Sequence, residues 1–585
     1  MKTKTLTILV SILILSLIIQ SVIGIKHNAA TYDELDHITS GYSKLITKDF
    51  RLYTESPPFA DSLFGIPLLF MNVTFPLDHP SWKIKNMNEL SGQFFFIYNK
   101  NTDEMLFYAR LIPLLLSVIA AFVLFFWTKE MFGERAGLIA LFLYSFEPTI
   151  IIHSGLSMVD LPFMLFTLLT FYSFWKFFKK KEIKYVFMTG IFLGLAQVTK
   201  FSAIFLIFII GLLFITTIFS DTSENEPKYR YIGRNIKNKI MQKSIHAGTL
   251  FLITFFIAYV IICSSYLFQG VLTPVKTSLI QDVHLDKEKY QFIFDLVERE
   301  PFKTFSELPS PLPYYYIKGF AFNVFEEKAK IKNSGENKII SLTGSLHTKP
   351  FGIFYTLAEF ALKVPIPFLF LVILFFILYA KKVIDREYFI LLIPILFYFI
   401  WFGISTRAGG IRYVLQTFPF LMILAAKCIQ DILDEQLNWK GFFQLGLFVL
   451  AISYILSSIL VSPHYFSYYN TMSEQNKTYL YYDGSLDMGQ DFLELTSYLT
   501  QNNIHHIQIN RPVWVEKRYL DKYNISYEEL SCSKINNEKV DKTTYVLKLA
   551  DKNECVTTLL NREMTNTKIG KGEIKQIGKT IKVYS

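Results

Sequence analysis

The chain has 585 residues, of which 51% are hydrophobic, 17% aromatic and only 18% charged. Ordinary soluble domains carry about 45–50% apolar and about 25% charged residues, so the imbalance excludes a soluble domain of ordinary composition. The net charge of +10 resides largely in short Lys/Arg-rich loops between apolar runs, as membrane orientation requires. No nucleic-acid-binding module is recognisable, which argues against a nucleic-acid partner. The four cysteines form neither a metal-ligand pattern nor a disulfide-rich scaffold.

An apolar stretch of about 18 residues or more can cross a bilayer as a helix. By that rule the sequence predicts about eleven spans, at roughly 6–24, 107–127, 135–152, 159–178, 185–200, 201–219, 246–268, 353–380, 388–404, 413–430 and 441–462. The first run follows Lys2 and Lys4. Its apolar core is longer than that of a cleaved signal, and Ser-Val-Ile-Gly is a poor cleavage site, so it reads as an N-terminal signal-anchor helix over residues 1–24. The run from Tyr185 to Ser220 is too long for one span, and Lys200 interrupts it, dividing it into two.

With the N-terminus inside, Thr128–Arg135, Lys176–Lys184, Ser220–Ser244, Lys381–Glu387 and Gln430–Lys440 become inside loops and collect the basic residues. Residues 25–105 form a first outer loop and residues 269–351 a second, separating two groups of transmembrane helices at 106–268 and 352–462. Both loops are far longer than ordinary connections. Residues 463–585 rise in Asn, Lys, Glu and Asp. His506–Asn510, Thr544–Leu549 and Thr580–Tyr584 read as strands and Leu493–Thr500 as a helix, giving a small extracytoplasmic α/β C-terminal domain. Cys532 and Cys555 lie there and could pair in an oxidising compartment.

The first outer loop opens with Tyr32-Asp33-Glu34-Leu35-Asp36-His37. Carboxylates crowded near a low-dielectric surface repel one another and lose solvation, which raises their proton affinity. That is the property a general base needs. The alternative for Asp33 and Glu34 is a helix start, where acidic groups complement the dipole. Gly41-Tyr42, Glu55-Ser56-Pro57-Pro58 and the apolar Leu63-Phe64-Gly65-Ile66-Pro67-Leu68-Leu69 run follow.

This order resembles the first outer loop of the dolichyl-phosphate-mannose–protein mannosyltransferase family, within the C-type glycosyltransferase superfamily and closest to its prokaryotic members. Further segments agree in order: Ala109-Arg110-Leu111, Glu147-Pro148, His153-Ser154-Gly155, Asp160-Leu161-Pro162, Gly194-Leu195-Ala196 with Thr199-Lys200-Phe201, His347-Thr348-Lys349-Pro350, Lys363-Val364-Pro365, Arg412-Tyr413, and Pro463-His464-Tyr465. In the last box, Asp487-Met488-Gly489-Gln490-Asp491, the family usually has Trp where Met488 stands. The resemblance covers roughly residues 6–495.

The resemblance implies an α-helical polytopic membrane protein of C-type glycosyltransferase architecture with an extracytoplasmic active site. It would lie in the plasma membrane of a prokaryote or the endoplasmic reticulum of a eukaryote. The donor would be a polyprenyl-phosphate sugar lipid and the acceptor a protein or an envelope glycan or lipid. Asp33 is expected to take the acceptor proton, with Glu34 the second-choice base. An anionic phosphate leaving group needs cations beside it. Lys200, Arg412, Arg110 and Arg407 are the candidates, each with snorkelling toward lipid headgroups as the alternative. His37, Glu55, His153, Asp160 and His347 are expected to line the acceptor groove or position the loops, with Asp160 read as a helix cap. No metal ligands are assigned, and a divalent cation is left open as a cofactor. A transporter would need charges near the midplane of several spans and two related halves, neither of which is visible. A non-catalytic membrane scaffold is the other alternative, left open by Met488 and the long tail.

Overall fold

A computed structural model describes residues 3–218, 238–280, 300, 302–334, 353–380, 385–404, 410–434, 440–472, 487–530, 544–548 and 574–584. Arg407, His347, Cys532 and Cys555 lie outside these residues. The described chain is dominated by apolar helices and is a multi-pass integral membrane protein. Six helical stretches are long and apolar enough to cross a bilayer alone: Thr3–His27, Thr102–Phe132, Asp160–Lys180, Phe201–Ile218, Lys239–Ser265 and Ile411–Asp434.

The principal helices are α1 (Thr3–His27), α2 (Tyr32–Thr47), α3 (Pro58–Gly65), α4 (Thr102–Phe132), α5 (Glu134–Ser145), α6 (Pro148–Ser154), α7 (Asp160–Lys180), α8 (Ile183–Gln197), α9 (Ile204–Ile218) and α10 (Lys239–Ser265). After the second outer loop come α11 (Ile353–Lys363), α12 (Ile366–Tyr379), α13 (Arg386–Ile404), α14 (Phe418–Asp434) and α15 (Lys440–Ile459). Every expected span coincides with helix, but two are broken. The 135–152 run is α5 and α6, bent by 68°. Pro148 restarts the chain there, because proline has no N–H to donate to the preceding turn and disfavours helical geometry in the residue before it. The 353–380 run divides at Val364-Pro365 into α11 and α12 for the same reason. Five other apolar helices among the described residues, at Pro58–Phe70, Ile183–Gln197, Ile366–Tyr379, Glu387–Gly403 and Gln444–Ile459, are shorter than a full span.

Helix α7 lies inside the bundle, with 78% of its apolar window buried, against 33% for α1. Trp127, Phe163, Phe171, Tyr398 and Phe420 fill that interior, with the Trp127 and Phe420 rings 6.0 Å apart edge to face. Ile12 and Leu15 on α1, Phe126 on α4 and Phe448 on α15 point outward and are half exposed or more, the pattern of a lipid-facing surface.

The described residues 487–530, 544–548 and 574–584 build the C-terminal domain. It contains α16 (Phe492–Gln501), β1 (His506–Ile509), α17 (Trp514–Lys522), β2 (Ser526–Glu529), β3 (Thr544–Lys548), β4 (Ile574–Ile577) and β5 (Ile581–Tyr584). The sheet order is β2-β1-β3-β5-β4. Strand β1 pairs parallel with β2 and β3, while β5 pairs antiparallel with β3 and β4. The parallel β1–β2 pair requires a crossover, supplied by α17. The domain shares one apolar core with the first outer loop: Leu495, Ile507 and Val583 join Leu35, Ile38 and Phe64.

Helices α2 and α3 touch backbone to backbone. A Cβ on Gly41 would fall 1.7 Å from the carbonyl oxygen of Asp61, and one on Gly65 would fall 2.5 Å from the Tyr42 nitrogen. This explains Gly41-Tyr42 in the sequence: only glycine lets α3 bring Asp61 against α2. Gly41→Ala should force the helices apart and lower stability by on the order of 1–3 kcal/mol, read as an earlier thermal transition of the detergent-solubilised protein.

Candidate active site

Helix α2 presents a buried polar stripe, because Asp33, Asp36/His37, Ser40 and Lys44 recur every three or four residues and so share one face. Its first turn holds two adjacent carboxylates with opposite fates. Glu34 is fully buried. Its Oε1 accepts hydrogen bonds from Arg110 Nε at 2.8 Å and the Ser157 amide at 2.9 Å. Its Oε2 accepts from Arg110 Nη2 at 2.8 Å and the Thr31 amide at 3.2 Å. Arg110, 1% exposed, also donates from Nη1 to the carbonyls of Ile25 and Asn28 and from Nη2 to that of Ala29. A guanidinium has five N–H donors, and all five are engaged.

Arg110 therefore has no donor left for a phosphate, and Glu34 no open face toward a substrate proton. In this structure the two side chains satisfy each other and the surrounding backbone, in place of the phosphate and acceptor contacts expected of them. It caps the carbonyl-bearing end of α1 with a cation and closes the start of α2.

Asp33 points elsewhere. Consecutive helical side chains diverge by about 100°, which aims Asp33 at Arg412. Arg412 Nη1 donates to Asp33 Oδ2 at 3.2 Å, and both side chains retain solvent contact. Arg412 sits on the short helical turn Ile411–Thr417 that leads into α14. Lys200, in the break between α8 and α9, donates to Asp160 Oδ1 at 2.6 Å and stands over the Tyr413 ring at 4.8 Å. Asp160 is the first residue of α7, and its carboxylate makes an ion pair instead of capping the helix. Lys200, Arg412 and His153 all act electrostatically on Asp160. His153 is buried and donates from Nδ1 to the Thr149 carbonyl at 2.7 Å.

Arg412 and His153 line a small, partly open cleft, with Tyr465, Phe466, Met488 and Lys363 among its other walls. Lys363, not assigned a role from sequence, ends α11 at the break before Pro365 and donates from Nζ to the Phe466 carbonyl at 3.0 Å. Its signal was available: a lysine closing an apolar helix next to a proline. Met488, where the resembled family usually has Trp, is a buried wall of the same cleft.

Deeper along α2 lies a second cluster. Asp61 is fully buried and accepts from His37 Nδ1 at 2.8 Å, Lys44 Nζ at 2.9 Å, Ser56 Oγ at 3.0 Å and Ser40 Oγ at 3.2 Å. Burial alone would raise its pKa, but Lys44 and His37 outweigh burial and hold it below the usual carboxylate value. Burial likewise opposes charge on His37, yet Asp61 prevails and raises its pKa. Asp36 receives a 2.7 Å hydrogen bond from Ser91 Oγ. Burial pushes its pKa up to about 7, with Asp33 and Glu55 adding to the rise. Glu55 is exposed at the surface of the same loop. Asp36, Lys44 and Asp61 were not singled out individually from sequence; the helical stripe identifies the first two, but Asp61 is brought in only by the α2–α3 crossing.

Residues 98–229 match the model of the dolichyl-phosphate-mannose-protein mannosyltransferase family. The family resembled by the outer-loop boxes is thus the one matched over this stretch. Among solved structures, ArnT from Cupriavidus metallidurans bound to undecaprenyl phosphate is similar at 10% identity, covering 100% of this chain and 98% of that one with a TM-score of 0.46. The Archaeoglobus fulgidus oligosaccharyltransferase AglB, in complex with an inhibitory peptide and a dolichol-phosphate, is similar at 13% identity, covering 91% and 69%, TM-score 0.46. The Saccharomyces cerevisiae protein O-mannosyltransferase Pmt1-Pmt2 complex bound to its sugar donor is similar at 18% identity, covering 49% and 38%, TM-score 0.32. No curated protein matches the chain.

Two predictions follow from the paired carboxylates. Removing either partner of a buried ion pair leaves an uncompensated charge and costs about 3–5 kcal/mol. Arg110→Met should therefore lower folded yield and melting temperature, and Arg110→Met/Glu34→Leu should recover part of the loss. For Asp36, the folded chain holds its proton more tightly than the unfolded chain does. Its contribution to stability is full below the ordinary value of 3.8 and is lost as pH rises through about 7. Wild-type melting temperature should fall relative to Asp36→Asn between pH 5 and pH 8, the two curves being closest at the acidic end.

Proposed function

We propose that this chain is a membrane glycosyltransferase moving a sugar, mannose or another hexose, from a polyprenyl-phosphate carrier to an acceptor hydroxyl. The reaction would take place on the extracytoplasmic face, in protein O-glycosylation or envelope glycan modification. The observation that carries the reading is the Asp33–Arg412 pair, 3.2 Å apart, with Arg412 also lining the cleft. Around it stand three cations, Arg412, Lys200 and Lys363, and two carboxylates, Asp33 and Asp160. Cations grouped in this way suit an anionic phosphodiester. The aromatic wall of Tyr465 and Phe466 suits the first isoprenoid units beside it. The family match over residues 98–229 supports the reaction class.

In this reading the donor phosphate competes with Asp33 for Arg412. Planar guanidinium grips phosphate with two parallel hydrogen bonds, so donor binding releases Asp33. The freed carboxylate takes the acceptor hydroxyl proton while the oxygen attacks the anomeric carbon. The carbon–oxygen bond to phosphate breaks, and its electron pair leaves on the phosphate, neutralised by Arg412 and Lys200. One displacement with one base inverts the anomeric configuration. His37, held by Asp61, and Glu55 at the loop surface would position the acceptor. His153 and Asp160 would order the cation side of the cleft.

The test is sugar transfer by the purified protein supplied with a polyprenyl-phosphate sugar and a hydroxyl acceptor. Asp33→Asn should lower kcat by about 10²–10⁴-fold while donor affinity holds. Arg412→Gln should raise the donor KM by about 10–100-fold, the equivalent of one or two charge-assisted hydrogen bonds. Full turnover by Asp33→Asn would remove Asp33 as the base.

A further inference from the structure

A second polar cluster lies outside the cleft, where three distant segments meet. His27 is the last residue of α1. His464 follows α15 by a few residues, and Glu494 is in the first turn of α16. One ligand-capable atom from each lies within 4.8 Å of the other two, the one His/Cys/Asp/Glu group of this kind among the described residues. His27 Nε2 and Glu494 Oε2 are 3.3 Å apart. The two imidazole rings meet edge to face with centroids 4.9 Å apart.

These atoms are enclosed but poorly satisfied. His27 Nε2, Glu494 Oε2, His464 Nδ1 and Asp491 Oδ1 are all shielded from solvent and lack a hydrogen bond of normal geometry. They face one another in two loose pairs, His27 with Glu494 and His464 with Asp491, which leaves hydrogen-bonding capacity in one place that a bound ion could use. Asp491 itself is 1% exposed. Its Oδ2 is fixed by the Lys579 and Thr580 amides at 2.9 and 3.1 Å and by Thr580 Oγ1 at 2.8 Å. Its other oxygen faces His464 Nδ1 at 3.5 Å.

We propose that His27, His464 and Glu494 bind a divalent transition metal, with zinc the best fit, and that Asp491 orients His464 as the metal's outer partner. Zinc holds imidazole nitrogen and carboxylate oxygen at about 2.0–2.2 Å in a tetrahedron, which sets neighbouring ligand atoms about 3.3–3.5 Å apart. The His27–Glu494 separation already meets that spacing. A metal-ligating histidine usually gives its other ring N–H to a carboxylate. Asp491 occupies that position for Nδ1, leaving Nε2 as the ligand atom. Water completes the fourth position. Two imidazoles and one carboxylate form a borderline donor set suited to zinc and unlike the all-oxygen shells of calcium or magnesium.

The site would clamp the end of the anchor helix to the segment after the last span and to the C-terminal domain. His464 immediately precedes Tyr465 and Phe466, so the clamp would also hold the aromatic wall of the cleft. This assignment is independent of the glycosyltransferase reading, since it concerns metal content and not turnover.

The full-length protein, freed of any affinity tag and dialysed against chelator, is to be titrated with zinc alone and its bound metal counted by mass spectrometry after gel filtration. Wild type should retain about one zinc per chain and melt at a higher temperature with zinc than without. Glu494→Gln and His464→Asn should each lower zinc affinity at least tenfold. Asp491→Asn should weaken it by about 10–100-fold, as outer-partner changes do, while still filling at high zinc. Cobalt in place of zinc should give the intense visible absorption of a four-coordinate ion in wild type and not in His464→Asn. Should a variant misfold, near-isosteric Glu494→Gln, checked by its elution volume, carries the comparison. The proposal is overturned if folded wild type retains no zinc, or if zinc content and affinity are unchanged in Glu494→Gln and His464→Asn. Either result would leave His27 and Glu494 as a simple ion pair.

Discussion

The end of the helical bundle that carries residues 25–105 is organised by one buried ion pair, Glu34 with Arg110. Each partner is almost wholly out of water, where a lone charge costs several kcal/mol. The structure tolerates them because every hydrogen-bonding position is used. Arg110 closes the carbonyls of Ile25, Asn28 and Ala29, and Glu34 closes the amides of Thr31 and Ser157. Four segments, α1, α2, α4 and the turn before α7, are thereby fixed to one another at a single point. The direction of α2, and with it the aim of Asp33, follows from that junction.

The neighbouring carboxylates illustrate how one helical step separates structure from chemistry. Glu34 turns inward and is consumed by Arg110. Asp33 turns toward Arg412 and keeps solvent contact at the cleft edge. Further along the same helix His37 and Lys44 bind Asp61 and form a charged layer beneath the site. That layer depends on Gly41 and Gly65, which allow α3 to approach α2 closely enough for Asp61 to reach His37 and Lys44.

The C-terminal domain is not an appendage. Its apolar core continues that of the first outer loop. Tyr519 on α17 accepts a hydrogen bond from the Ala30 amide at 2.9 Å, in the link between α1 and α2. The Ala29 amide donates to the Gln490 carbonyl at the same distance. Asp491 ties this segment to the β4–β5 turn. The Asp487–Asp491 box is therefore a joint between the sheet, the segment after the last span and the loop that carries Asp33. Met488 is accommodated there as an apolar wall of the cleft.

Helix existence was legible from sequence because apolar runs and the lysine interrupting one of them are local properties. The strands His506–Ile509, Thr544–Lys548 and Ile581–Tyr584, the acidic start of the first loop and the family resemblance matched over residues 98–229 were legible for the same reason. What only the tertiary structure decided is which charge meets which. Glu34 and Arg110 lie 76 residues apart, and Asp33 and Arg412 lie 379 apart. Sequence alone offered both arginines as phosphate candidates and ranked Asp33 ahead of Glu34 as the base without showing what either would meet. Sequence patterning reports how polar a position is and which face of its own helix it occupies. Partner choice depends on how separate helices pack, and that packing buried one pair while leaving the other at the cleft.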